Sequence, residues 1–256
     1  MSRELFEELS DQELMRYSRQ IMLPKFDVAG QLALKNSHVL IAGMGGLGSP
    51  AALYLAAAGV GKLTIVDHDV VDTSNLQRQV IHGEASLGLP KVESARERLQ
   101  EINPLVQVHS ISQKLEGDAI LALIQSADLV LDCTDNFATR FAINKYCVQS
   151  RKPLVSGAAI RMEGQISVFD PRQAENPCYQ CLYPEGDEQA LSCSEAGVMS
   201  PLVGIIGSMQ AMEAIKLLSG LGETLTGKLL MLDAMSMQWR SLKLKKDPDC
   251  SCCSVG

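Results

Sequence analysis

The segment that most constrains this chain is a short apolar run that ends in a cluster of glycines. His38-Val-Leu-Ile-Ala42 leads directly into Gly43-Met-Gly45-Gly46-Leu-Gly48. An alanine-rich stretch follows, closes at Gly59-Val-Gly61, and gives way to a second apolar run, Leu63-Thr-Ile-Val66. Strand, glycine turn, helix and strand within about 30 residues make a βαβ unit, whose two strands must be parallel. Ser49-Pro50 reads as an N-cap followed by proline at the first helical position. Glycines in this context let the backbone approach a phosphate, and the helix N-terminus favours its negative charge. Asp67 ends the second strand, where a carboxylate can hydrogen-bond a ribose hydroxyl. The pattern therefore predicts a nucleotide site formed by Gly43, Gly45, Gly46, Gly48 and Asp67; the bland alternative is a tight turn with no ligand.

The alternation continues. Residues 90–102 read as a helix, 106–111 as a strand, 119–126 as a helix and 129–131 as a buried strand. A helix over 139–150 and a strand at Leu154-Val155 follow. This is the signature of a doubly wound sheet. Upstream, Ser10-Asp-Gln-Glu13 is a capping-box pattern opening a helix over 10–23, before Pro24. Beyond about residue 160 the style changes: residues 165–169 and 238–244 alternate as antiparallel strands do, around a long helix at 203–218. The expected fold is α/β, a Rossmann-like doubly wound mixed sheet with antiparallel C-terminal strands. One domain over 1–256 is expected, with a nucleotide-binding half at about 36–157 and a second half at about 158–256.

Charge narrows the partners. Of 256 residues, 23 are Lys or Arg and 30 are Asp or Glu, a net −7. That balance argues against a nucleic-acid ligand and against an anionic membrane surface. Any anionic ligand must be met by a few placed cations and backbone N–H groups. The acidic first residues lack the apolar core of an export signal. The most apolar stretch, 198–218, carries Pro201, Gln210, Glu213 and Lys216, so it is not expected to span a bilayer. A cytoplasmic protein is expected, and its eight cysteines then point to metal or catalysis before disulfides.

NAD dehydrogenases share the glycine fingerprint, so the residues after it must discriminate. Ser74-Asn75-Leu76-Gln77-Arg78 lies beyond the ribose acid, Lys91 follows, and Asp132-Cys-Thr-Asp135-Asn136 ends another strand. Hydride transfer has no use for such a set of Arg, Lys and Asp. Reaction at the α-phosphate of ATP does, because cations offset developing charge and a carboxylate can hold Mg²⁺. Taken singly, Arg78 and Lys91 could equally be solvated surface. Cys178-Tyr-Gln-Cys181 and Cys250-Ser-Cys-Cys253 are two CxxC pairs about seventy residues apart. Four such thiolates suit a tetrahedral structural Zn²⁺ that staples the tail to the body, with a redox pair as the rival. Cys252 could compete with Cys250 or Cys253. Cys133 and Cys147 read as core, Cys193 as a loop thiol with no visible base, and the histidines (38, 68, 82 and 109) as structural.

Together these segments resemble the E1-like adenylyltransferases of sulfur-carrier proteins. The resemblance rests on Met15-Arg-Tyr-Ser-Arg19-Gln20, the glycine loop, Ser74-Asn-Leu-Gln-Arg-Gln79, Pro90-Lys91, Asp132-Cys-Thr-Asp-Asn136 and both CxxC pairs, and it covers nearly the whole chain. It implies the fold of ubiquitin-activating E1 enzymes with a four-cysteine zinc site, and ATP and Mg²⁺ at the carboxyl edge of the sheet. It also implies a small ubiquitin-like carrier whose C-terminal Gly-Gly carboxylate is adenylated, with release of pyrophosphate. A separate sulfur donor, such as a cysteine desulfurase or a rhodanese, would then make the thiocarboxylate. By motif, Gly46, Asp67, residues 74–78, Lys91, Asp135 and Asn136 contact ATP, with Asp135 near Mg²⁺. Arg19 reaches into the partner's site of a homodimer. Cys193 matches a loop cysteine of the family, for a thioester, a persulfide-linked intermediate or a flap. Residues 157–165 and 195–199 are similar to the branch that serves the molybdopterin carrier, and Gln238-Trp-Arg-Ser-Leu242 to the branch that serves the thiamine carrier. One enzyme could also serve both carriers, and a NAD-dependent oxidoreductase and a non-catalytic, zinc-stapled carrier-binding module are the remaining alternatives.

Overall fold

The computed structural model describes residues 8–115, 117–183 and 196–254. Five strands lie parallel: β1 (His38–Ala42), β2 (Lys62–Val66), β3 (Gln107–Ile111), β4 (Leu129–Asp132) and β5 (Leu154–Ile160). Then β6 (Glu163–Phe169), β7 (Lys228–Asp233) and β8 (Gln238–Lys243) add on antiparallel. The order across the sheet is β3-β2-β1-β4-β5-β6-β7-β8. Chain order reverses between β1 and β4, the crevice where open α/β sheets bind ligands.

Side-chain alternation along β1 divides the core. Val39 and Ile41 join the cluster built on α4 (Gly48–Ala58), α5 (Lys91–Ile102) and α9 (Ser200–Ser219). Leu40 and Ala42 join the one built on α6 (Gly117–Ser126) and α7 (Phe137–Ser150). Helices on both faces explain why β1 and β4 are buried along their whole length and read as unbroken apolar runs. The expected doubly wound mixed sheet is thus observed, and β5 and β6 join its two styles in one continuous layer.

Several expectations need correction. The helix expected over 10–23 is two pieces, α1 (Asp11–Arg16) and α2 (Ser18–Ile21), although the Ser10–Glu13 capping box forms as expected. The break at Tyr17 turns its ring into the core, where its hydroxyl accepts from Asn103 Nδ2 at 2.8 Å. Ser49 is not an N-cap: α4 starts at Gly48, because the glycine loop is already coiled into its first turn. The Ser49 hydroxyl and amide both donate to the Gly45 carbonyl. The strand β7 and the helix α3 (Asp27–Lys35) were not anticipated. Gly30 obscured α3, yet it is required there, since a β-carbon would stand 2.6 Å from the Phe26 ring.

Helix α9 begins three residues before its expected start, at Ser200. It is long and apolar enough to match a membrane span by composition, but it packs against α4, α3, β5 and β6. Its buried polar groups are used inside the fold. Gln210 Nε2 donates to the carbonyls of Asp132 and Val155, and Glu213 accepts from the Leu225 amide.

Candidate active site

At the carboxyl ends of β1, β2 and β4 the chain encloses a cavity of about 650 Å³. Gly45, Asp67, Arg78, Lys91, Asp135 and Arg140 are among the residues that line it. Groups from five separated segments thus meet in one place, although Arg78 and Lys91 singly could have been ordinary surface.

The glycine loop forms the floor. Gly43 has φ +92°, and a β-carbon there would meet the Cys133 carbonyl oxygen at 2.8 Å. The loops after β1 and β4 therefore touch backbone to backbone, which only glycine allows. Asp67 is tied to that floor: Oδ2 accepts the Met44 amide at 2.7 Å and Oδ1 accepts the Asp69 amide at 2.9 Å. Beneath the loop the buried His82 bridges Ser94 Oγ and the Met44 carbonyl. Burial holds its pKa below the usual histidine value, because a charged ring is disfavoured there.

The wall carries the charges. Arg78 NH1 donates to the Ser74 carbonyl at 3.1 Å, closing the turn in which Ser74, Asn75, Leu76 and Gln77 present Arg78 and Gln79 to the cavity. Lys91 opens α5, and its ammonium lies 2.8 Å from Asp69 Oδ2. Burial would raise the Asp69 carboxyl, but the hydrogen bond and charge of Lys91 outweigh it and hold it below the ordinary aspartate value. Opposite, Asp132 Oδ1 accepts the amide and hydroxyl of Thr134, which shapes the turn that exposes Asp135. Asn136 caps α7 through the Thr139 amide, at 2.9 Å.

Asp69, Gln79 and Arg140 were not singled out from the sequence as site residues. Arg140 is buried at the base of the cavity and donates to the Thr134 and Gly157 carbonyls. Gln79 is buried with Oε1 unpaired. Only the spacing of Arg140 from Asp135, one helical turn into α7, hinted at it. His68, read as structural, proves to be an exposed residue lining the cavity. Arg19 lies exposed on α2 and does not line this cavity. Cys193 lies outside the described residues.

The two CxxC pairs converge. The Sγ atoms of Cys178, Cys181, Cys250 and Cys253 all lie within 4.8 Å of one another. Individual separations are 3.7 Å (Cys178–Cys250), 4.0 Å (Cys178–Cys181) and 3.5 Å (Cys181–Cys253). Zn–S bonds of about 2.3 Å in a tetrahedron require sulfur–sulfur edges of about 3.8 Å, so the donor set fits Zn²⁺. Amide donors support the sulfurs: Asn144 Nδ2 reaches Cys178 Sγ and the Asp247 amide reaches Cys181 Sγ. Cys252 is outside the four, with Asn144 Nδ2 3.3 Å from its Sγ.

The ThiF family profile matches residues 17–252. The chain belongs to the ThiF family. Among its ThiF relatives, the molybdopterin-synthase adenylyltransferase of Escherichia coli (strain K12) is 56% identical over 96% of this chain and 98% of its own length. The adenylyltransferase and sulfurtransferase MOCS3 of Drosophila yakuba is 47% identical over 96% of this chain, which spans 55% of that longer protein. In fold the chain is similar to the E. coli MccB structure with MccA-N7isoASN, at a TM-score of 0.84 and 24% identity over 98% of this chain and 77% of that one.

Proposed function

We propose that this ThiF-family chain is an adenylyltransferase that activates the C-terminal Gly-Gly carboxylate of a small ubiquitin-like sulfur carrier, of the molybdopterin type. The observation that carries this reading is the meeting of Arg78, Lys91 and Asp135 in one cavity over the glycine loop, in a chain 56% identical to a molybdopterin-synthase adenylyltransferase.

A carboxylate is a poor acyl donor, and adenylation gives it a leaving group. In the proposed step the terminal carboxylate oxygen attacks the α-phosphorus of ATP. The bond to the bridging oxygen breaks, and pyrophosphate leaves with the electron pair. Two anions must approach one another, so the protein's work is positioning and charge neutralisation. Gly43, Gly45, Gly46 and Gly48 offer backbone to the phosphates, Asp67 holds the ribose, and Arg78 and Lys91 offset phosphate charge. Asp135, with Asn136 beside it, would hold Mg²⁺, whose charge would offset that of the phosphates. Arg19 reaches the site of the other subunit in a homodimer, completing its cationic wall. The four clustered cysteines hold a structural Zn²⁺. A separate sulfur donor, a cysteine desulfurase or a rhodanese, then offers a persulfide whose outer sulfur attacks the acyl-adenylate in the cytoplasm; AMP leaves, and a thiol cleaves the resulting acyl disulfide to the thiocarboxylate as a new disulfide forms.

ATP–pyrophosphate exchange with Mg²⁺, run in parallel with molybdopterin-type and thiamine-type carriers, tests this. Exchange with the molybdopterin carrier is expected. Exchange with the thiamine carrier alone, which residues 238–242 would favour, moves the chain to that pathway. ATP-independent carrier binding without exchange replaces the enzyme with a binding module.

A further inference from the structure

We propose that Asp69 is a positioning residue of the nucleotide site, acting by fixing the Lys91 ammonium on the cavity wall. The proposal rests on the reading that this cavity takes ATP. Lys91 is held at both ends by this one residue. Its backbone amide donates to the Asp69 carbonyl at 2.9 Å, and its Nζ donates to Asp69 Oδ2 at 2.8 Å. The neighbouring backbone repeats the pairing, with Val71 N to Leu89 O and Gly88 N to Val71 O both at 2.9 Å. A short antiparallel clasp thus fastens the start of α5 to the segment leaving β2, and Lys91 stands at the end of the clasp that opens on the cavity.

The burial of the two partners differs. The Lys91 side chain is 7% exposed, whereas that of Asp69 is 53% exposed. An ordinary surface ion pair contributes little, because water solvates both charges. Here the Lys91 side chain is largely buried and its ammonium is held by the carboxylate, while the carboxylate remains exposed and can share the ammonium with an incoming phosphate. The carboxylate is itself aimed, since the Asp69 amide donates to Asp67 Oδ1 and the other Asp67 oxygen holds the glycine loop. A line of bonds from Met44 through Asp67 and Asp69 to Lys91 therefore sets the distance between the phosphate floor and its cation. Without Asp69 the four-carbon stem of Lys91 must be ordered by the nucleotide itself, at a cost in affinity.

The test is a double-mutant cycle read by ATP affinity, measured calorimetrically with Mg²⁺ and no carrier on the wild type, Asp69→Asn, Lys91→Met and the double variant. Each single substitution is expected to weaken ATP binding about tenfold or more, as loss of a charge-assisted contact does. The double variant is expected to bind no worse than Lys91→Met, and Asp69→Glu to recover most of the affinity. Additive losses, or wild-type affinity in Asp69→Asn, would overturn the proposal while leaving the nucleotide reading intact. No ATP binding by the wild-type chain removes both. Unfolding midpoints accompany each variant, and Asp69→Ser, which keeps the backbone clasp, replaces Asp69→Asn if that protein does not fold.

Discussion

A β-carbon on Gly48 would stand 2.0 Å from the carbonyl oxygen of Gly43, so the first and last glycines of the loop pack against one another with no room for a methyl group. Backbone, not a flexible side chain, is what a substitution would strike. Gly48→Ala must open the loop, and we expect a loss of stability of about 1–3 kcal/mol. ATP affinity should fall by at least about tenfold, since the loop that Gly48 packs against is the proposed phosphate floor. Denaturant unfolding and ATP titration measure the two effects separately, and unchanged affinity would show that the loop does not contact the nucleotide.

Asp135 projects from a turn shaped by Asp132, which does not depend on the Asp135 side chain. Asp135→Ala should therefore lower ATP–pyrophosphate exchange by about a hundredfold or more with the unfolding midpoint near that of the wild type. Retained exchange would remove Asp135 from the metal role.

Arg19 and Asp135 allow a test of the proposed sharing of a site between two subunits. A subunit with Arg19→Ala and one with Asp135→Ala should each be inactive as homodimers. Mixed in equal amounts and allowed to exchange, half the dimers are mixed, and each has one complete site. Activity should recover to about a quarter of the wild-type value. No recovery, with subunit exchange demonstrated, would mean that Arg19 does not act across the interface.

The sulfur geometry predicts one zinc per chain, lost in Cys178→Ser and kept in Cys252→Ser, by elemental analysis. Chelation of the metal should lower the unfolding midpoint, because the cluster ties the tail after β8 to α8 (Tyr179–Leu182). A Cys252→Ser protein without zinc would place Cys252 among the ligands.

His82 predicts an acid-side loss of stability. Its folded pKa is below its ordinary value of 6.5 because burial disfavours the charged ring. As pH falls through about 6.5 the unfolded chain gains a proton that the folded imidazole does not, so unfolding becomes easier until the folded pKa is reached. Unfolding midpoints between pH 7.5 and pH 5 should fall more steeply for the wild type than for His82→Gln. Parallel curves would assign the acid sensitivity to other groups.

The elements legible in the sequence are those defined by near neighbours. The βαβ unit was readable because apolar runs of strand length and a glycine cluster each depend on a few consecutive residues. The cysteine pairs were readable because two ligands three apart suit one metal. What escaped depended on distant groups. The break at Tyr17 serves Asn103, 86 residues away, and α3 was hidden by a glycine needed for the Phe26 ring. Ser49-Pro50 carried a cap pattern that the coiled glycine loop overrode, starting the helix earlier.

By itself the sequence determined the sheet class, the glycine loop with Asp67, the catalytic cations as candidates, and the cysteine set. Tertiary structure alone decided that Asp69 binds Lys91 across 22 residues. It also decided that Arg140 supports the turn bearing Asp135, and that Cys250 rather than Cys252 completes the set of four mutually close sulfurs. The physical reason is the same in each case. Backbone period and turn chemistry act within a few residues, whereas a buried charge or thiol takes whichever partner the packing of separate elements brings within about 3–4 Å.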